Sequence, residues 1–383
     1  MTGFFTSPRI AWGPGAIEQL SGLGARRAVV VVDPAVSRAG GPRRVVEELA
    51  KSETTVEVID DLSDPDRRDE LDRLAARFRG AGADWVVAVG GGRLIDAVKA
   101  ARLGAERSGT GWESITPVLD LPDPPRVRCV AIPTTSGSGS EASWTADLWG
   151  PDGAPVELAH RSLTPDWALV DPTFAAALPQ DLVLDGAFET LTQALEAYLS
   201  AWANPFSDAF AVDAVLTVLD RLPHALRWSD DPDARSALHF AATGAGLAAS
   251  NAQRGVAHAL ARSLMSPTGL SYGRLLGILL PHVLEFDRPS ARDRVEAITR
   301  AASRTDDRGS TPLAARLLRT LETFHFPTSL AVAGVERSQL DAARSSIVTD
   351  TLRSPAVLAN PRVPTPADIE RLLETAFGRP SSS

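Results

Sequence analysis

Four runs of β-branched and apolar residues constrain the fold more than any other feature of the chain: RRAVVVVD (26–33), TTVEVID (54–60), WVVAVGGG (85–92) and RCVAIPTT (128–135). Helix-patterned sequence such as GPRRVVEELAK (41–51) lies between them. Strands that alternate with helices in this way form a parallel sheet covered by helices. After about Leu178 the texture changes, and VLDGAFETLTQALEAYLSAW, SDAFAVDAVLTVLDRLPHAL and ARSALHFAATGAGLAASNAQRGVAHALARSLM carry helical spacing over long stretches. The expectation is an α/β N-terminal domain over 1–178 with a Rossmann-like parallel sheet, followed by an all-α helical domain over 179–383. The boundary is expected near DPTFAAALP, where Pro172 and Pro179 interrupt regular structure.

A chain of 383 residues with 44% hydrophobic content is long enough for two cores. No apolar run approaches about 18 residues and no charged leader precedes an apolar stretch, so neither a membrane span nor a signal peptide is expected and the cytoplasm is the default. The single cysteine, Cys129, sits in VRCVAIP, which points to a buried inert thiol. A formal charge of −9 argues against nucleic acid or an acidic membrane as partner. A small-molecule substrate is the better starting point.

Two loops carry chemistry. AVGGGRLIDAVKAARL (88–103) sets three glycines between a strand and a helix, where bare backbone amides and the positive helix end suit a diphosphate. A tight turn would use the same glycines. AIPTTSGSGSEAS (131–143) offers hydroxyls and open backbone after the next strand, either for a ligand or as a solvated loop. Ligands of such sheets gather at the carboxyl ends of the strands, and two phosphate-suited loops on successive strands favour a nucleotide.

These stretches are similar to signatures of the iron-containing (group III) alcohol dehydrogenases, within the dehydroquinate synthase-like superfamily. GGGRLIDAVK resembles GGGS-x-x-D-x-x-K, and PTTSGSGSE resembles PTT-x-G-T-G-SE. LTPDWALVDP, ETLTQALEAYLS, VAHALA and LLPHV continue the likeness in order, from about residue 8 to 375. The resemblance implies a dinucleotide-binding α/β domain, a helical domain, an active site in the cleft between them, a homodimer, and hydride transfer between a nicotinamide cofactor and an alcohol or aldehyde carbon. It places Gly90, Gly91, Gly92 and Asp96 beside the diphosphate and nicotinamide, and Thr134, Thr135 and Ser138 against the cofactor. Asp33 matches an acidic residue that meets the adenosine ribose in NAD-preferring members; a carboxylate accepts from free 2′ and 3′ hydroxyls and repels a 2′-phosphate, which favours NAD over NADP. A turn-forming role before Pro34 is the alternative. Arg93 stands where the family has serine, and would either touch phosphate or face solvent.

The resemblance breaks at the metal site. The family's four ligand positions, an Asp and three His, read Glu189, Gln193, His258 and Tyr272 here, and a further His position reads Arg262. An amide and a phenol are poor ligands for zinc or iron(II), and Arg262 lies one helical turn from His258, where a fixed positive charge opposes a cation. The expectation is no metal: Arg262 supplies charge, Tyr272 donates a proton, and His258 and Glu189 position and relay. His258 as a plain core histidine, and an Arg262–Glu189 salt bridge closing a dead site, remain alternatives. His160 is expected at the surface and His282 in a turn. Three classes of function follow: a metal-independent nicotinamide-dependent oxidoreductase acting on a small-molecule or peptide alcohol or carbonyl, for example on a modified ribosomal peptide; a nucleotide-binding partner or scaffold without catalysis; and a lyase or cyclase of dehydroquinate synthase type, suggested only by Glu189 and opposed by the absence of a GGK sequence after the PTT loop.

Overall fold

Alternate valines of the central strands face opposite ways along the pleat and are buried on both sides, so the strands need a cover of helices on each face. A computed structural model of the chain describes residues 5–38, 40–106, 112, 115–121, 125–150, 153–228, 231–303 and 311–378, and these fall into two compact units, 1–178 and 179–383.

The first unit is built on β1 (Arg9–Trp12), β2 (Arg27–Val32), β3 (Thr55–Ile59), β4 (Trp85–Gly90), β5 (Arg128–Pro133), the antiparallel pair β6 (Thr145–Trp149) and β7 (Pro155–Ala159), and β8 (Trp167–Val170). Six of them form one parallel sheet in the order β1-β8-β5-β4-β2-β3. Its helices are α1 (Pro34–Arg38), α2 (Gly41–Ala50), α3 (Arg68–Ala81) and α4 (Gly92–Glu106). Val29, Val31, Val86 and Ala88 pack with Leu74 and Phe78 of α3 and Ile95 and Val98 of α4. Val30, Val32, Val87 and Val89 pack with Val45 and Leu49 of α2 on the other face. The chain leaves β2 for β3 on one side and returns to β4 on the other, so the connections change direction between β2 and β4.

The second unit consists of α5 (Gln180–Leu199), α6 (Pro205–Arg227), α7 (Pro232–Ala252), α8 (Val256–Thr268), α9 (Tyr272–Asp287), α10 (Arg292–Ser303), α11 (Leu313–Thr323), α12 (Arg337–Arg353), α13 (Ala356–Ala359) and α14 (Pro366–Phe377). Several starts are written locally. Asn204 and Ser207 form a reciprocal cap on α6, and Asp231 accepts from Asp233 and Ala234 at the start of α7. α5 packs against α6, α7 and α9, while α8 packs against α9 and α12. No described helix is long and apolar enough to cross a membrane.

Two expectations are corrected. Leu-Leu-Pro-His is no turn: Pro281 and His282 lie inside α9, which absorbs the proline within a fully apolar stretch. His160 is buried, its Nδ1 accepting from the Ser162 amide at 3.0 Å and its Nε2 facing the Leu119 carbonyl at 3.0 Å. Cys129 is buried, and burial pushes its thiol up to about 11, which leaves it protonated and unreactive.

Candidate active site

Three loops meet where the sheet connections reverse. The Asp33 amide donates to the Val89 carbonyl at 3.0 Å, and the Thr134 amide donates to the Gly90 carbonyl at 3.0 Å. Asp33, Gly90–Gly92 and Thr134–Ser138 therefore sit side by side at the carboxyl ends of β2, β4 and β5. A Cβ on Gly90 would lie 3.4 Å from that of Asp33, and one on Gly92 would lie 2.5 Å from both Cβ and Oγ of Ser138. Glycine at 92 is what lets the two loops close on each other. One Asp33 oxygen accepts from the Ala35 amide at 2.8 Å, so the turn-forming role is real. The other oxygen has no protein partner among the described residues.

Asp96 and Lys99 brace these loops from below. Lys99 is fully buried, and its Nζ donates to Asp96 Oδ1 (3.0 Å), the Ser140 carbonyl (3.0 Å), Ser143 Oγ (2.9 Å) and the Thr145 carbonyl (2.5 Å). Asp96 Oδ2 accepts from the Asp147 amide at 3.1 Å, so both of its oxygens are engaged within the protein. Burial pushes this carboxyl up from its ordinary range while Lys99 opposes the shift. Asp96 thus shapes the glycine loop, whereas the bare backbone of Gly90–Gly92 is what the loop presents. Arg93 neither reaches into solvent alone nor waits for phosphate: its Nε and Nη2 grip Asp66 at 2.8 and 2.6 Å, and Nη2 also reaches Asp64 at 2.7 Å.

The second cluster lies among helices. α8 begins at Gly255 with no capping side chain of its own. Its free amides are served from elsewhere: Val256 donates to Asn360 Oδ1 at 3.1 Å, and Ala257 and His258 donate to Glu196 Oε1 at 2.6 and 3.4 Å. A Cβ at 255 would lie 2.6 Å from Asn360 Oδ1 and 2.9 Å from Glu196 Oε1, which explains the glycine. The second Glu196 oxygen faces Nδ1 of His258. Both residues are buried, and His258 Nε2 has no hydrogen-bond partner among the described residues.

Tyr272 opens α9, and its ring meets the His258 ring edge-on, with centroids 5.7 Å apart at 72°. Asp185 of α5 fixes that helix start by accepting from Ser271 Oγ (2.5 Å) and Arg274 Nε (3.0 Å). A Cβ on Gly273 would collide with the Asp185 carbonyl at 2.4 Å. Glu189 and Gln193 lie on α5 one turn apart, with Gln193 buried, and Arg262 lies half-buried one turn beyond His258 on α8. Sequence reasoning missed Glu196 and Asp185. The signal for Glu196 was its spacing, since positions 189, 193 and 196 share one face of a helix.

The family model described as iron-containing alcohol dehydrogenase matches residues 7–172, and that described as Fe-containing alcohol dehydrogenase family, C-terminal, matches residues 183–377. The chain belongs to the iron-containing alcohol dehydrogenase family. It is 30% identical over 381 residues to the probable alcohol dehydrogenase EutG of Salmonella typhimurium, covering 97% of this chain and 94% of that protein. It is 28% identical over 392 residues to the NAD-dependent methanol dehydrogenase of Bacillus methanolicus, covering 98% and 100%. The solved iron-containing alcohol dehydrogenase of Thermococcus thioreducens superposes with a TM-score of 0.88 at 26% identity, over 99% of this chain and 100% of that one. The chain is accordingly an oxidoreductase of alcohol dehydrogenase type.

The family name implies iron, and the residues present do not fit it. The four ligand positions hold a carboxylate, an amide, an imidazole and a phenol, and of these only the carboxylate and the imidazole are ordinary donors for iron or zinc. Among the described residues, no three His, Cys, Asp or Glu side chains are grouped so as to hold a metal ion. A divalent ion needs several anionic or imidazole donors to offset its dehydration.

Proposed function

We propose that this chain interconverts an alcohol with its aldehyde or ketone using NAD(H), without a catalytic metal ion. The observation that carries the reading is the meeting of Asp33, Gly90–Gly92 and Thr134–Ser138 at the point where the sheet connections reverse, the place where open parallel sheets bind dinucleotides. The free Asp33 oxygen suits a ribose hydroxyl and opposes a 2′-phosphate, and the likeness to an NAD-dependent methanol dehydrogenase supports the same choice. Bound nicotinamide supplies the hydride acceptor or donor. In the second unit Arg262, one turn from His258, supplies the positive charge that a metal otherwise brings to a developing alkoxide. A homodimer belongs to the same proposal on family resemblance.

Calorimetric titration with NAD(H) and NADP(H), followed by a panel of alcohols and aldehydes with and without EDTA, tests the reading. NAD(H) is expected to bind more tightly by roughly 5- to 150-fold, and turnover to survive EDTA. Equal affinity for the two cofactors removes the role of Asp33, and absence of turnover across the panel removes the oxidoreductase reading.

A further inference from the structure

We propose that Glu196 is a positioning residue that holds His258 as its Nδ1–H tautomer, so that His258 Nε2 is the atom that takes the alcohol proton. The inference rests on the oxidoreductase reading and reassigns to the imidazole the proton transfer that residue types alone suggested for Tyr272.

The geometry leaves Glu196 little freedom. Oε1 accepts two amides at the start of α8, where the positive helix end favours a carboxylate, and Oε2 is then an acceptor facing Nδ1. An acceptor at that position requires the hydrogen on Nδ1, which in the neutral imidazole leaves Nε2 with its lone pair. That atom is buried and has no partner among the described residues, a state that native interiors rarely leave unexplained. The Tyr272 ring packs edge-on against the imidazole.

A polar frame secures the pair from behind. Asn360 accepts from Val256 and donates to Asp287 Oδ1 at 2.6 Å. Burial pushes the Asp287 carboxyl up to about 8, and the nearby Glu196 carboxylate adds to that shift.

In the oxidation direction the carbinol C–H bond would break with its electron pair leaving as hydride, for which a bound oxidised nicotinamide would be the acceptor. The O–H bond breaks, its proton goes to His258 Nε2, and the carbonyl forms. Glu196 stabilises the resulting imidazolium across Nδ1. Reduction runs the same transfers backward. Such a carboxylate–imidazole pair fixes both tautomer and ring orientation for general acid–base work.

The test is ¹⁵N NMR of histidine-labelled protein, with His258→Asn used to assign the signal. The wild type is expected to show a protonated Nδ1 and a pyridine-type Nε2 for His258. Glu196→Gln cannot accept at both oxygens, and it is expected to disturb that tautomer while lowering kcat by roughly 10²- to 10³-fold with NAD(H) affinity unchanged. A proton on Nε2 in the wild type, or a Glu196→Gln protein that keeps full kcat, overturns the proposal. The tautomer is read without turnover, so a wild type with the expected signal but no activity on any alcohol marks failure of the oxidoreductase reading instead.

Discussion

The two polar sites of this molecule are finished in opposite ways. Around the glycine loop of the first unit all the charges but Asp33 are spent internally: Lys99 makes four hydrogen bonds, Asp96 uses both oxygens, and Arg93 is clamped by two aspartates. Backbone, hydroxyls and one oxygen of Asp33 are left to meet a ligand. In the helical unit Glu196 is equally committed, yet it leaves one imidazole nitrogen buried and unsatisfied. Binding a dinucleotide calls for a rigid cradle, whereas moving a proton calls for one atom that is not yet satisfied.

The comparison breaks most sharply at His258. His258→Ala is expected to lower kcat by roughly 10²- to 10⁴-fold with NAD(H) affinity unchanged, whereas Tyr272→Phe stays within about tenfold of wild type; steady-state kinetics with calorimetry on both variants checks this. Next in size is Lys99→Met, which leaves Asp96 buried without its cation and is expected to destabilise the first unit by about 3–5 kcal/mol, seen in chemical unfolding. The His258 signal of the second unit should not move under native conditions. Asp33→Ser removes the carboxylate but not the loop, and is expected to shift preference towards NADP(H) by roughly 5- to 150-fold, measured as the ratio of Kd values.

A further effect concerns the frame behind Glu196. The Asp287 carboxyl stands at about 8 in the folded chain, above its unfolded value near ~4. Its contribution is therefore fully present at pH values below that unfolded value, declines as pH rises towards 8, and changes no further beyond it. Melting temperature should fall across that window by roughly 2–4 °C for each kcal/mol lost, and Asp287→Asn should flatten the decline.

The central sheet was legible because fully buried parallel strands write their signal locally, as in RAVVVV and WVVAVG. The loops were legible for the same reason: glycines and hydroxyls next to a strand end are local facts. β1 and β8, with four residues each, are too short to show a period, and the β6–β7 pair carries Pro155 at a strand end. Glu196 and His258 stand 62 residues apart, and nothing in either segment names the other. Arg93 and Asp66 likewise find each other only through the packing of α3 and α4. Long-range pairing of polar side chains is set by tertiary approach, and local periodicity does not encode it.

The central claim is that this chain keeps the family's dinucleotide cradle and has given up its ion. Elemental analysis of protein purified without chelator, on a sample shown by calorimetry to bind NAD(H), tests it most directly. The account expects far less than one equivalent of iron or zinc per chain. One equivalent of metal that disappears in His258→Ala would contradict it.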